Sequence, residues 1–249
     1  MATKVWTLGT FDFIAQGAIP RSLSLRPGWQ VNPILLPLQD GAVVPSTPKS
    51  GPQSLNLSGM MQAANATALR VIVDALIQVL RSGSQQLKVF NDRYADVVAQ
   101  ANGLALEYGE GPGLQTVAFS LDLLAPDGYW VSITLDSTSY STNATPSITN
   151  GGNIATPLNI TVTAPAGGLT QFVATNTTAS KTLTWDGSLT VGQTLIIDMD
   201  DISITEAGVV DMSGFTGVFW DLSVGANSLS FSSTPTGATV TVTKRDRWG

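Results

Sequence analysis

The chain has no cysteine and no histidine. Without cysteine there is no disulfide, no thiolate metal site and no thiol nucleophile. Without histidine, the Ser-His-Asp triad, the Cys-His pair and every imidazole-ligated zinc or iron centre fall away. Paired carboxylates, a Lys or Tyr base and an all-oxygen metal site are what remain for catalysis. Charge is scarce as well. Only 12% of the 249 residues are Asp, Glu, Lys or Arg, about half the share of roughly 25% in ordinary globular domains. The hydrophobic fraction, 43%, is ordinary, so the composition is that of a folded chain. Such a chain must cover itself with Ser, Thr, Asn, Gln and Gly. That surface suits packing against copies of itself, though extracellular β proteins share it. No apolar run approaches the ~20 residues of a membrane span; Asp74 and Gln78 interrupt the best stretch, residues 71–80. No signal-peptide core follows the first residues. A soluble protein made in the cytoplasm is expected.

What is present changes character at Pro126-Asp127-Gly128-Tyr129-Trp130. Before this turn, strand-like pieces surround one strong helix. After it come only short strand signals parted by Gly, Asn, Pro and Asp. Two modules in series are expected: a mixed domain over residues 1–135 and an all-β sandwich over residues 136–249. Charge divides the same way. Residues 1–130 carry a net −1, residues 131–243 a net −7 and the last six a net +2. The acidic total of −6 argues against general nucleic-acid binding through phosphates. The basic tail (Lys244, Arg245, Arg247, with Trp248) is expected either to dock on an acidic surface, of its own chain or a neighbour, or to stand in solvent.

In the first module, strands are expected near residues 4–8, 11–14, 21–25, 32–38, 53–58, 87–90, 94–99 and 114–124. Residues 40–52 hold Pro45, Pro48 and Pro52. Prolines so dense do not fit a sheet, so a long loop, either functional or ordered by a partner, is expected. Leu69, Ile72, Val73, Leu76 and Leu80 recur at spacings of three and four, which predicts a helix with one buried stripe. Asn65 or Thr67 is its N-cap and Gly83 its left-handed stop. In the second module, strands near residues 131–135, 158–164, 171–176, 181–185, 194–199, 202–206, 209–212, 229–232 and 239–244 predict a sandwich of antiparallel sheets. Asp186-Gly187 is among the expected turns.

Three kinds of site deserve weighing. Asp198, Asp200 and Asp201 form the one dense oxygen-ligand cluster, a candidate for calcium and equally a solvated turn. Trp185 and Trp220 are candidates for stacking on a glycan, and their apolar neighbours fit core packing as well. No carboxylate pair stands out as a glycosidase couple, so no enzyme, cofactor or resident metal is expected.

The ordered motifs of the second half resemble the distal tail protein family of long, non-contractile-tailed bacteriophages. They run Asn150-Gly151-Gly152-Asn153, Thr156-Pro157-Leu158, Gly192-Gln193-Thr194-Leu195-Ile196-Ile197-Asp198, Phe219-Trp220-Asp221-Leu222 and Gly225-Ala226-Asn227-Ser228-Leu229. Leu229 stands where Ile is commoner. The first half is similar more loosely, through its β-rich start, Leu57-Ser58-Gly59, the one helix and the closing Pro126-Asp127-Gly128-Tyr129.

The resemblance implies a tail-tube-like, ring-forming N-terminal domain and a galectin- or carbohydrate-module-like jelly roll behind it. It also implies a structural role in the virion: a hexameric ring joining tail tube to tip, with the tube and hub or tip proteins as partners. DNA would be only a passenger through the lumen. A tail tube or other baseplate subunit is the near alternative. A glycan-binding adhesin that recognises the host surface is the distant one. Assembly contacts are expected at the loop of Pro45, Pro48 and Pro52 and at the tail.

Overall fold

The helical stripe forms as its spacing requires. In the computed structural model, which describes residues 6–30, 34–35, 42–43, 49–111 and 114–249, helix α1 spans Ala66–Arg81. Asn65 caps it: its side-chain oxygen accepts from the amide of Ala68 at 2.8 Å. At the other end Ser82 Oγ donates to the carbonyl of Val79 at 2.6 Å, and Gly83 follows at φ 92°. Leu69, Val73 and Leu76 are buried. Each such side chain contributes about 1.5–3 kcal/mol of transfer free energy.

The chain divides into two units, Met1–Val131 and Ser132–Trp248. In the first, strands β1 (Thr7–Leu8), β2 (Phe11–Asp12), β3 (Ala18–Gln30), β4 (Ile34–Leu35), β5 (Ala42–Val43) and β6 (Lys49–Ala63) precede α1. Then follow β7 (Gln85–Lys88), β8 (Arg93–Gly111) and β9 (Leu114–Ala125), and β10 (Trp130–Ser132) crosses the boundary. The main sheet has the order β2-β1-β7-β8-β9-β6-β3, with β10 also paired to β8. β4 and β5 pair separately. The ladders of the main sheet are antiparallel. Alternate residues of β6 (Leu55, Leu57, Met61) and of β9 (Val117, Phe119, Leu121, Leu123) are buried in one cluster with the stripe of α1. Phe13 stacks on Phe119 with ring centroids 5.8 Å apart.

One expectation for this unit changes. Pro52 lies inside β6 rather than in a loop. The β3–β6 ladder is irregular between Arg26/Ser54 and Gly28/Gly51, so Pro27 and Pro52 sit at the interruption, where a missing N–H costs no ladder bond. Pro45 and Pro48 lie outside the described residues. The glycine-rich stretch from Gly109 is the end of a long arm: β8 and β9 pair from Val98/Leu124 to Gly111/Leu114, with a register shift between Ala99 and Leu104.

In the second unit the strands are β11 (Asp136–Ser141), β12 (Ser147–Asn150), β13 (Leu158–Thr163), β14 (Leu169–Asn176), β15 (Lys181–Leu189) and β16 (Thr194–Asp198). They continue as β17 (Ser203–Glu206), β18 (Val209–Val210), β19 (Phe215–Gly217), β20 (Gly225–Thr234), β21 (Thr239–Lys244) and β22 (Arg247–Trp248). Two sheets result, β11-β21-β13-β16-β17-β18 and β12-β20-β14-β15-β19. Their ladders are antiparallel. The buried members of one sheet include Ile160, Val162, Leu195, Ile197 and Val240; those of the other include Phe172, Leu183, Trp185, Leu229 and Phe231. Alternation with period two makes each strand half apolar, and the apolar halves form the core.

Asp186-Gly187 is not a turn but lies within β15, where the register against β14 shifts between Leu169/Leu189 and Gln171/Asp186. A Cβ at Gly187 would lie 2.2 Å from Cζ2 of Trp185. The glycine is there to make room for the indole, the other reason a strand carries one.

Candidate assembly surface

The four long strands β8, β9, β6 and β3 present two edges. Among the described residues β3 has β6 as its one partner, which leaves the outer side of a 13-residue strand unpaired. On the far side, β7 covers only Tyr94–Val97 of β8, and β10 contributes three residues at most. Among the described residues, most of that side of the 19-residue β8 is open. Long open edges expose rows of backbone donors and acceptors and are ready templates for pairing with another chain.

The sheet face turned from α1 is polar. Ser22 Oγ lies 2.7 Å from Ser58 Oγ. Asn56 donates to Ser120 Oγ at 2.9 Å and to Asp122 Oδ1 at 2.6 Å, and Gln100 reaches Ser54 Oγ at 3.5 Å. These cross-strand bonds join side chains that could otherwise bind water, so the face is a cohesive polar surface, with Asp122 as a carboxylate held within it. Asp96 lies toward the start of β8. Burial raises its pKa above the usual carboxylate value, and the charge of Asp127 pushes it the same way.

The sequence-predicted glycan residues take a different part. Trp185 is fully buried and Trp220 is 3% exposed. The indole N–H of Trp185, on one sheet, donates to Glu206 Oε1 on the other. Trp220 Nε1 is buried with no hydrogen-bond partner among the described residues. Neither ring offers a face to a sugar; both are core, because each follows the inward apolar positions around it.

The aspartate cluster is a turn. Asp198 Oδ1 accepts from the amides of Asp200 and Asp201 at 2.9 and 3.1 Å, and Asn159 donates to its Oδ2 at 3.2 Å. Asp200 pairs with Arg247. Among the described residues no group of three or more Asp or Glu is placed to hold a metal ion.

The basic tail docks on its own unit. Lys244 Nζ lies 2.7 Å from Asp136 Oδ2 and 2.6 Å from Asp246 Oδ1. Burial lowers the Lys244 pKa, but the hydrogen bonds to Asp136 and Asp246 outweigh it, and the net shift is upward. Arg245 donates to the carbonyls of Ser132 and Ile133, while the Ser132 amide donates to the Asp246 carbonyl at 2.9 Å. The Arg247 carbonyl accepts from Asn153 at 3.1 Å and would sit 2.1 Å from a Cβ at Gly152, so only glycine lets the tail lie down there. Burial raises the pKa of Asp221, with Arg247 pulling it back and Asp200 pushing it up.

Two residues that the sequence marked only as members of the ordered motifs organise this end of the sandwich. Asn150, 2% exposed, donates to the carbonyls of Ile154 at 2.8 Å and Leu222 at 3.1 Å. Its Oδ1 accepts from Gly152 N at 2.9 Å and Thr156 Oγ1 at 3.2 Å. Asn227, fully buried, accepts from Ser223 N at 3.0 Å and donates to the carbonyls of Ser223 and Gly225 at 2.7 and 3.0 Å. The motifs around Asn150, Thr156, Leu222 and Asn227 thus meet in space through buried amides whose hydrogen bonds are made.

Comparison with known proteins follows these landmarks. Residues 151–248 match the family described as siphovirus-type tail component, C-terminal domain. In fold, the chain is similar over 98% of its length, and 99% of the other, to the crystal structure of SPP1 Dit (gp 19.1), described as a paradigm of the hub adsorption apparatus in phages infecting Gram-positive bacteria. The TM-score is 0.68 and the identity 15%. Chains of the phage P2 baseplate in its activated conformation, with Ca and with Sr, align at TM-scores of 0.48 and 0.46. Their identities are 9% and 8%, over 98% of both chains in each case. No curated protein matches the chain in sequence. Residues 151–248 are thus similar to the C-terminal domain of siphovirus-type tail components, and the chain as a whole shares the mostly β, one-helix fold of SPP1 Dit.

Proposed function

We propose that this chain is the subunit of a closed, hexameric ring at the distal end of a phage tail, joining the tail tube to the baseplate or tip. The carrying observation is the pair of long open edges, β3 and β8, at opposite ends of one four-strand path. An edge on one copy that meets the other kind of edge on the next is a heterologous contact, and such contacts make rings when the rotation closes. The polar Ser/Asn face of that sheet, with Asp122 in it, then lines the lumen, where DNA passes without a basic surface to hold it. The tail-component match of residues 151–248 supports the same reading. The partners are further copies, the tube protein above and the hub or tip proteins below, and the location is the virion. Pro52, in β6, stands one strand in from the open edge of β3, and the residues of the tail serve their own unit first.

The absence of cysteine makes the test clean. Ser22→Cys or Ser24→Cys on β3, combined with Ala105→Cys or Glu107→Cys on β8, places thiols near both edges. Mild oxidation should give a ladder of covalent oligomers ending at a closed band of about six, whereas each single variant stops at dimers. An unending ladder with filaments would favour a tail tube subunit. Absence of intermolecular bridges in every combination, with native circular dichroism, would refute edge-to-edge assembly.

A further inference from the structure

At one corner of the sandwich the inward positions are not apolar. The register Asp136↔Lys244, Thr138↔Val242 and Tyr140↔Val240 puts Asp136, Thr138 and Tyr140 of β11 on the same inner side as Val240 and Val242. β11 and β12 are the end strands of their two sheets. Between them opens a cavity of about 440 Å³, lined by Asp136, Thr138 and Tyr140, by Ser147 and Thr149 of β12, and by Lys244 among others. That volume falls within the range of small-ligand sites, roughly 300–1,000 Å³.

We propose that this cleft binds a neutral saccharide, with Asp136, Lys244 and Tyr140 as its principal contacts. The Lys244 side chain is 6% exposed, and two of its three ammonium protons are directed at Asp136 and Asp246; the third is left to donate. The Asp136 carboxylate is 53% exposed and spends one oxygen on Lys244, so it retains acceptor capacity. A donor and an acceptor side by side match adjacent sugar hydroxyls, each of which both gives and takes a hydrogen bond. The partly buried ring of Tyr140, packed toward Phe231 at 6.2 Å, gives an apolar wall for the C–H face of a pyranose. The charged groups of the lining are Asp136 and Lys244, already paired with each other, so the cleft offers no unpaired cation to an anionic sugar. The same charges oppose an added β-strand, since inward charged residues are a device by which edge strands avoid pairing. This site is independent of the ring reading, because it lies wholly within the second unit.

The test is saturation-transfer NMR on the full chain with methyl β-D-galactopyranoside, methyl α-D-glucopyranoside, N-acetyl-D-glucosamine and L-rhamnose, and with D-glucuronate as the anionic probe. At least one neutral probe should bind with a Kd on the order of 1 mM, and D-glucuronate should not. Asp136→Asn and Tyr140→Ala should each weaken that binding about tenfold. Asp136 is exposed enough that its variant folds even where Tyr140→Ala does not. Silence from all four neutral probes at tens of millimolar, or binding unchanged in folded Asp136→Asn, would overturn the site, whatever the oligomeric state of the sample.

Discussion

The side-chain amide of Asn150 donates to the main-chain carbonyl of Leu222 at 3.1 Å, tying two segments 72 residues apart. Its other bonds hold Ile154, Gly152 and Thr156. Replacing Asn150 with Ala leaves several buried groups without partners, each costing about 1–3 kcal/mol. The expected loss of stability is on the order of 3 kcal/mol, read by chemical denaturation. Thr149→Ala, on the exposed side of the same strand, should change little. Equal effects would mean that the network does not fix this end of the sandwich.

Gly187→Ala tests why a glycine stands in a strand. The new methyl would meet the Trp185 ring at 2.2 Å, so the indole must leave its place in the core. The expected cost is about 1–3 kcal/mol, with a changed near-ultraviolet circular dichroism signal from Trp185. A variant as stable as the parent would show that the ring has room to shift.

Ile202 adopts φ 52°, a region that disfavours a β-branched side chain, and its side chain is 62% exposed. Ile202→Gly should therefore stabilise the chain by up to about 1 kcal/mol, net of the entropy that glycine adds to the unfolded state. A lower melting temperature would show that Ile202 makes contacts worth more than the strain.

Asp96 gives a pH signature. Its folded-state pKa is raised by burial and by Asp127. A carboxylate with a raised pKa opposes folding when ionised, so its penalty is present at neutral pH and vanishes as pH falls through the folded pKa. Asp96→Asn should melt higher than the parent at pH 7. The gap should close below about pH 4, where Asp is protonated in both states. A gap that persists at low pH would assign the effect to packing instead.

These cases also show what was legible in the sequence. The helix was, because five apolar residues at helical spacing and a capping Asn are local facts. So were most of the second-unit strands, whose inward positions alternate cleanly. β11 and β12 were not: Asp136-Ser137-Thr138-Ser139-Tyr140-Ser141 is polar on both faces, since both lie at the rim of the sandwich. Pro52 and Gly187 misled because the chemistry that usually breaks a strand here serves a bulge and an aromatic ring. Trp185 and Trp220 were equivocal because alternation gives the side of a strand without saying whether another sheet covers it. Asn150 and Asn227 stood in the ordered motifs without a role; only the fold brings the carbonyls that they bind within reach.

The central claim is a closed ring built on open sheet edges. The most direct measurement is the mass of the purified particle by light scattering, with negative-stain images of the same sample. A closed ring of about six copies with a central hole is the predicted result. A chain that stays monomeric up to its highest soluble concentration, or that grows only as open filaments, would contradict it.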